Sequence, residues 1–151
     1  MLIRKVVLIS SLMMVWGCST IQIPDYIKAD HPYVRKISGD YPKIVSVIQD
    51  VLFINGWVVQ NAVSPSEYER RDGGEDQSRD VLFFTSPKRH SKIAYSVYVH
   101  LNVFIHATAD GAEVDIRYEA INPSPIKHSS VRNDELVNGL LDQIEQAIES
   151  K

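Results

Sequence analysis

The chain has 151 residues, of which 44% are hydrophobic, and its formal net charge at pH 7 is −3. This length predicts one domain with a packed core, and the near-neutral charge argues against nucleic-acid binding, which needs a basic surface. Because Cys18 is the only cysteine, an intrachain disulfide and a metal site made of several cysteines are both excluded.

The first seventeen residues have the organisation of an export signal. Arg4 and Lys5 precede an apolar run over residues 6–16. A run of roughly 11 residues, at ~1.5 Å per residue, is too short to cross a bilayer core of ~30 Å. We therefore predict that residues 1–17 are a cleaved signal peptide. The alternatives are an uncleaved anchor helix and an ordinary secretory signal followed by a chance cysteine.

The end of the signal resembles the lipobox of bacterial lipoproteins. In that family an apolar residue lies three positions before the cysteine and a small residue lies directly before it, which Val15 and Gly17 match. Trp16 departs from the pattern, since a small residue is usual there. The resemblance implies that Cys18 is lipidated and becomes the first mature residue, held on the membrane by its acyl chains. Ser19 after the cysteine implies the periplasmic side of the outer membrane, with the inner membrane as the alternative.

The mature chain is predicted to begin with a flexible tether and to continue as one domain. Residues 18–32 contain two prolines and few periodic apolar positions, which is typical of a tether. The domain, residues 33–151, opens with an extended segment at Tyr33–Ile37. A helix follows, with Asp40 as its predicted N-cap and Asn55–Gly56 as its end.

The middle of the domain is predicted to consist of strands. Trp57–Ala62 is the first of them, and a polar loop over Ser64–Asp80 follows. Val81–Thr85 is apolar on both faces, which predicts a position inside the sheet. The basic stretch Pro87–Lys92 is predicted to be a turn. From Ile93 to His106 every odd position is apolar, which is typical of a long strand with one buried face.

Asp110–Gly111 predicts a tight hairpin after the long strand. If these two residues form the turn, Ile105 lies opposite Ile116 on the core side. On the other side His106 lies opposite Asp115, and we expect this to be a solvated cross-strand pair rather than part of a metal site.

The last helix completes an α+β fold. Asn133 or Asp134 is its predicted N-cap, because apolar residues recur from Leu136 to Ile148 at helical spacing. The predicted order is β-α-β-β-β-β-α. We expect a mainly antiparallel sheet of four to five strands with two helices packed on one face.

At the level of pattern, residues 33–150 resemble the helix-grip domains of BamC-type outer-membrane assembly lipoproteins. The features that carry the resemblance are the lipobox, the tether, the helix ending Ile54-Asn55-Gly56-Trp57, the long strand pair and the closing helix. LptE-type lipoproteins, which help to deliver lipopolysaccharide, have a comparable plan and are the rival. Either resemblance implies a scaffold or assembly role.

The outer sheet face supplies candidate partner-binding residues. Aromatic side chains among polar ones on a sheet face often mark a partner surface, although a loop such as Ser64–Asp80 folding over them is the alternative. The candidates are Tyr98, His100, Phe104, His106 and Arg117.

Catalysis and metal binding are not expected on this face. His100 and His106 are separated by about 20 Å at ~3.3 Å per residue, too far to share one ion. The alternating acidic residues Glu113, Asp115 and Glu119 are expected to be a solvated surface, because acid-base catalysis needs a cleft that shifts their pKa values. We therefore predict no enzyme activity, no cofactor and no metal.

Two functional hypotheses follow. The first is a lipid-anchored periplasmic domain that binds an envelope protein through the outer sheet face. The second is a carrier or sensor of a small lipid-like ligand held between the sheet and the helices, which would need a sizeable apolar cavity.

Overall fold

The structure is a computed structural model that describes residues 26–28, 32–69, 78–91, 96–122 and 132–150. The predicted signal peptide, Cys18 and the tether up to residue 25 lie outside the described residues. The elements within them are β1 (Tyr33–Ser38), α1 (Tyr41–Ile54), β2 (Val59–Val63), a 3₁₀ turn (Pro65–Glu67), β3 (Val81–Thr85), β4 (Lys88–Ser91), β5 (Ser96–Thr108), β6 (Gly111–Ile121) and α2 (Asp134–Glu149).

The strands form one antiparallel sheet in the order β1-β6-β5-β3-β2, with β4 paired to β5 beside this path. The predicted α+β fold with two helices is confirmed, and the sheet has six strands instead of four to five. The turn predicted over Pro87–Lys92 is wrong for Lys88–Ser91, which pairs with Ser96–Val99. β3 and β4 both pair with β5 and follow one another along it. Ser86 and Pro87 separate the two strands.

The helix ends lie where their capping residues predict. The Asp40 carboxylate accepts a hydrogen bond from Lys43 N at 3.2 Å, which begins α1. Gly56 has a φ of +72°, a conformation that lets the chain leave the helix at low cost. Asn133 rather than Asp134 caps α2, since its side chain accepts a hydrogen bond from Leu136 N at 3.1 Å.

Both helices pack on the sheet face that carries the odd-numbered residues of β5. Leu101, Val103 and Ile105 are fully buried there, as the period-two pattern predicts. They belong to one cluster of buried side chains with those of the two helices, among which Ile44, Ile48, Leu52, Val137, Leu141 and Ile144 are at most 2% exposed.

The β5–β6 hairpin has a different register from the predicted one. Thr108 pairs with Gly111, so Ala109 and Asp110 form the turn, and Ile105 lies opposite Val114 rather than Ile116. The shift is two residues, and because side chains alternate with period two, every residue stays on its predicted face.

In the observed register Gly111 lies in β6 and not in the turn. It has a φ of +155°, and a Cβ atom there would lie 2.1 Å from the carbonyl oxygen of Ile37 in β1. The glycine therefore allows β1 to approach β6 closely, and it is not used to make the turn.

Candidate functional site

The outer face of the sheet, opposite the helices, is covered. His100, Phe104, His106 and Arg117 are each less than a tenth exposed, and Tyr98 is partly buried. The expectation that this face is solvated is therefore wrong. The alternative to a partner surface was a segment of the chain folding over the aromatic residues, and the structure has this arrangement.

One part of the cover is the segment Tyr26–Lys28, which we call the strap. The backbone N–H of Ile27 donates to Asn102 Oδ1 at 2.6 Å, and its carbonyl accepts from Arg117 Nη1 at 3.1 Å. Asn102 and Arg117 face each other across β5 and β6. The cross-strand pair Asn102 and Arg117 thus binds both the N–H and the carbonyl group of Ile27. Ile27, within the predicted tether over 18–32, is therefore bound to the domain.

The strap also completes a small apolar cluster. Ile27 is 3% exposed, and the Tyr26 ring stacks on Tyr68 at a centroid distance of 5.2 Å. Tyr68 in turn meets the edge of Phe84 at 5.2 Å, and Tyr26 meets the edge of Phe104 at 6.5 Å. Tyr68 directly follows the 3₁₀ turn, so the start of the predicted Ser64–Asp80 loop supplies the second part of the cover.

Arg117 is the centre of the charged groups beneath the strap. Its Nη1 and Nη2 atoms each lie 2.9 Å from an oxygen of Glu69, and its Nε lies 3.0 Å from Asp115 Oδ2. The guanidinium also lies 3.8 Å from the centroid of the Phe104 ring. Burial lowers the pKa of Arg117, but the hydrogen bonds to Glu69 and the charge of Asp115 outweigh this and raise it. Arg117 therefore stays charged.

The two carboxylates beside Arg117 differ in environment. The hydrogen bonds from Arg117 lower the pKa of Glu69 from 4.5 to about 2. Burial raises the pKa of Asp115, against the opposing charge of Arg117. Asp115 Oδ1 is buried and has no hydrogen-bond partner among the described residues. Arg117 is thus the group that offsets the cost of burying the Asp115 carboxylate, whereas Glu69 still reaches solvent.

The two histidines of the outer face bind separate carboxylates. His106 Nδ1 lies 2.9 Å from Asp80 Oδ2, and the other oxygen of Asp80 accepts the backbone N–H of Ala107 at 2.9 Å. His100 Nε2 lies 3.0 Å from Glu119 Oε2 across the strand pair. The predicted pairing of His106 with Asp115 is wrong, because the register shift places Glu113 opposite His106. The part of the chain that the structure describes contains no cluster of three or more potential metal ligands.

A second feature lies at the C-terminal end of α1, where apolar side chains are exposed. Phe53 is 74%, Ile54 79% and Val58 55% exposed, and we call these three residues the apolar patch. They flank the Asn55–Gly56 turn, which ends the helix. A sequence signal for Phe53 and Ile54 exists, since both fall outside the buried helix face formed by Ile44, Ile48, Val51 and Leu52.

A cavity of about 440 Å³ adjoins that turn. Trp57 and Leu140 contribute to its lining together with the polar side chains of Asn55 and Gln143, which hydrogen-bond to each other at 2.7 Å. Lys88 Nζ lies 3.7 Å from the centroid of the Trp57 ring and donates to the carbonyl oxygen of Asn55 at 2.7 Å. Lys88 thus stabilises the end of α1, and this explains its position without a ligand.

Comparison of the chain with protein-family models and with curated proteins gives no match. Neither α1 nor α2, the helices of the described part of the chain, has the length and apolar character needed to cross a membrane.

Proposed function

We propose that this chain is a lipid-anchored, non-enzymatic protein of the bacterial envelope, on the periplasmic side of the outer membrane, and that it binds a protein partner through the apolar patch. The lipobox-like sequence ending at Cys18 supports the anchor. The observation that carries the binding role is that Phe53, Ile54 and Val58, which flank one turn, are the most exposed of the large apolar residues that the structure describes.

This proposal moves the partner surface away from the outer sheet face. Four of the five residues predicted to bind a partner there are buried: Phe104 and Arg117 contact the strap, and His100 and His106 each bind a carboxylate of the domain. Phe53 and Ile54 of the apolar patch lie at the end of α1, which packs on the opposite face of the sheet. An assembly role of the kind that the BamC-type resemblance implies is compatible with such a surface.

A small-ligand carrier is the second candidate, and the packing of the core speaks against it. A lipid-like ligand held between sheet and helices needs apolar space against the odd-numbered residues of β5. Leu101, Val103 and Ile105 are fully buried there among helix side chains. The cavity beside Trp57 has polar groups along its lining, which suits an acyl chain poorly.

The experiment is site-specific photo-crosslinking in intact cells. A photoreactive residue at position 53 or 54 is expected to give one discrete crosslinked product that a photoreactive residue at Val34 does not give. Val34 is the matched control, because it is an apolar residue 51% exposed on β1, an edge strand of the same sheet. Ile54→Ser in the chain labelled at position 53, and Phe53→Ser in the chain labelled at position 54, should abolish recovery of that product with little change in stability, since both side chains are exposed. Equal crosslinking from positions 53, 54 and 34 would contradict the proposed surface.

A further inference from the structure

We propose that docking of the strap sets how far the anchored domain stands from the membrane and which face it turns toward it. This inference rests on the proposed lipid anchor at Cys18. Its structural basis is that the strap is the part of the described chain nearest to that anchor, and that it is held on one particular face of the sheet.

The reach of the anchor follows from chain length. Tyr26 is eight residues after Cys18. At ~3.5 Å per residue, an extended chain between them spans at most about 28 Å. If the strap leaves the sheet, the next described residue that pairs within the sheet is Tyr33 at the start of β1, fifteen residues after Cys18. The limit then rises to about 52 Å. Undocking therefore nearly doubles the distance that the domain can move from the membrane.

The docked strap also gives the domain an orientation. The strap lies on the outer face of the sheet, whereas α1 and α2 lie on the opposite face. Because a connection of at most about 28 Å leaves from the outer face, it favours orientations with that face toward the bilayer. The apolar patch at the end of α1 then points away from the membrane, where a periplasmic partner can reach it.

The contacts that hold the strap are suited to a defined docked position. The Asn102 side chain and the Arg117 guanidinium bind the two backbone groups of Ile27. The Ile27 side chain is buried, and the Tyr26 hydroxyl hydrogen-bonds to Glu69. Lys28, the next residue, is exposed. A charge placed at position 27 should therefore expel the strap, whereas the same charge at position 28 should not.

The first measurement is hydrogen exchange of the backbone amide of residue 27 in the full mature protein in detergent micelles. In the natural protein and in Lys28→Asp this amide should exchange at least about tenfold more slowly than in Ile27→Asp, because the bond to Asn102 protects it. Amides of β5 and β6 that lie away from the strap should keep their protection in all three forms, which shows that the domain remains folded. Equal exchange at residue 27 in the three forms would overturn the docked strap.

The second measurement is the distance to the membrane. A Ser66→Cys substitution in the exposed 3₁₀ turn supplies a single free thiol for a fluorophore, and the acceptor is a labelled headgroup in vesicles of phosphatidylethanolamine and phosphatidylglycerol. Energy transfer should be lower for Ile27→Asp than for the natural protein and for Lys28→Asp. Equal transfer from forms that all float with the vesicles would overturn the inference and leave the anchor standing. Failure of every form to float would refute the anchor, and the reach inference with it.

Discussion

Replacing Arg117 by methionine removes the cation on which the buried carboxylate of Asp115 depends. Asp115 Oδ1 has no hydrogen-bond partner among the described residues, and Oδ2 binds Arg117 Nε at 3.0 Å. Breaking a buried ion pair from one side costs about 3 to 5 kcal/mol, since it leaves an uncompensated charge. The loss of Glu69 as a partner adds little, because the Glu69 side chain is 41% exposed and regains water.

The double variant Arg117→Met with Asp115→Leu separates this explanation from a simple loss of packing. It removes both charges, so it should recover about 2 kcal/mol or more of what the single variant loses. A domain of this size has a free energy of unfolding of about 5 to 15 kcal/mol, so the single variant should remain measurable but much weakened.

The assay is urea unfolding of the mature chain, followed through the fluorescence of the buried Trp57 and extrapolated linearly to zero denaturant. A cost below about 1 kcal/mol for Arg117→Met would refute the reasoning. A double variant whose cost equals the sum of the two single costs would refute it equally, because independent residues are additive.

Three further predictions use the same assay. The pKa of Glu69 is lowered from 4.5 to about 2, so the stability that ionised Glu69 gives the domain is complete above about pH 4.5 and is lost as the pH falls toward 2. The natural chain should lose about 1 kcal/mol more of its free energy of unfolding over this interval than Glu69→Gln. Parallel pH profiles of the two would contradict this. Gly111→Ala should destabilise the domain by about 2 kcal/mol or more, because the new Cβ meets the backbone of β1. The Cβ of Gly139→Ala in α2 meets nothing within 4 Å, so this variant should be more stable by about 0.5 to 1 kcal/mol. Changes in stability of the same sign for both variants would be inconsistent with the packing. Lys88→Met loses its position over Trp57 and its hydrogen bond at the end of α1, so the midpoint should fall by an amount equivalent to about 1 kcal/mol, and an unchanged midpoint would show that neither contact stabilises the domain.

The elements with local signals in the sequence are those that could be predicted. The Asp40 cap and the Gly56 stop define α1, and the odd-numbered apolar residues define the core face of β5. A local pattern does not show which strand a glycine approaches. The sequence therefore predicts Gly111 in the turn, although it is the contact of β6 with β1 that requires a glycine there.

The cover of the outer face could not be predicted for a similar reason. Polar side chains on alternate positions of β6 look the same in sequence whether water or another segment lies above them. Arg117 and Asp115 are buried because Ile27 and Glu69, which are distant in sequence, fold over them. The short strap has no periodic pattern, so the sequence predicts a flexible tether there.

The mass of the mature amino terminus tests the account most directly. The protein is isolated from membranes and its N-terminal peptide is analysed by mass spectrometry. The account predicts a chain that begins at Cys18 and carries a diacylglyceryl thioether and an N-linked acyl group. A chain that still begins at Met1, or one with an unmodified Cys18, would contradict the lipid anchor and the membrane-facing orientation that depends on it.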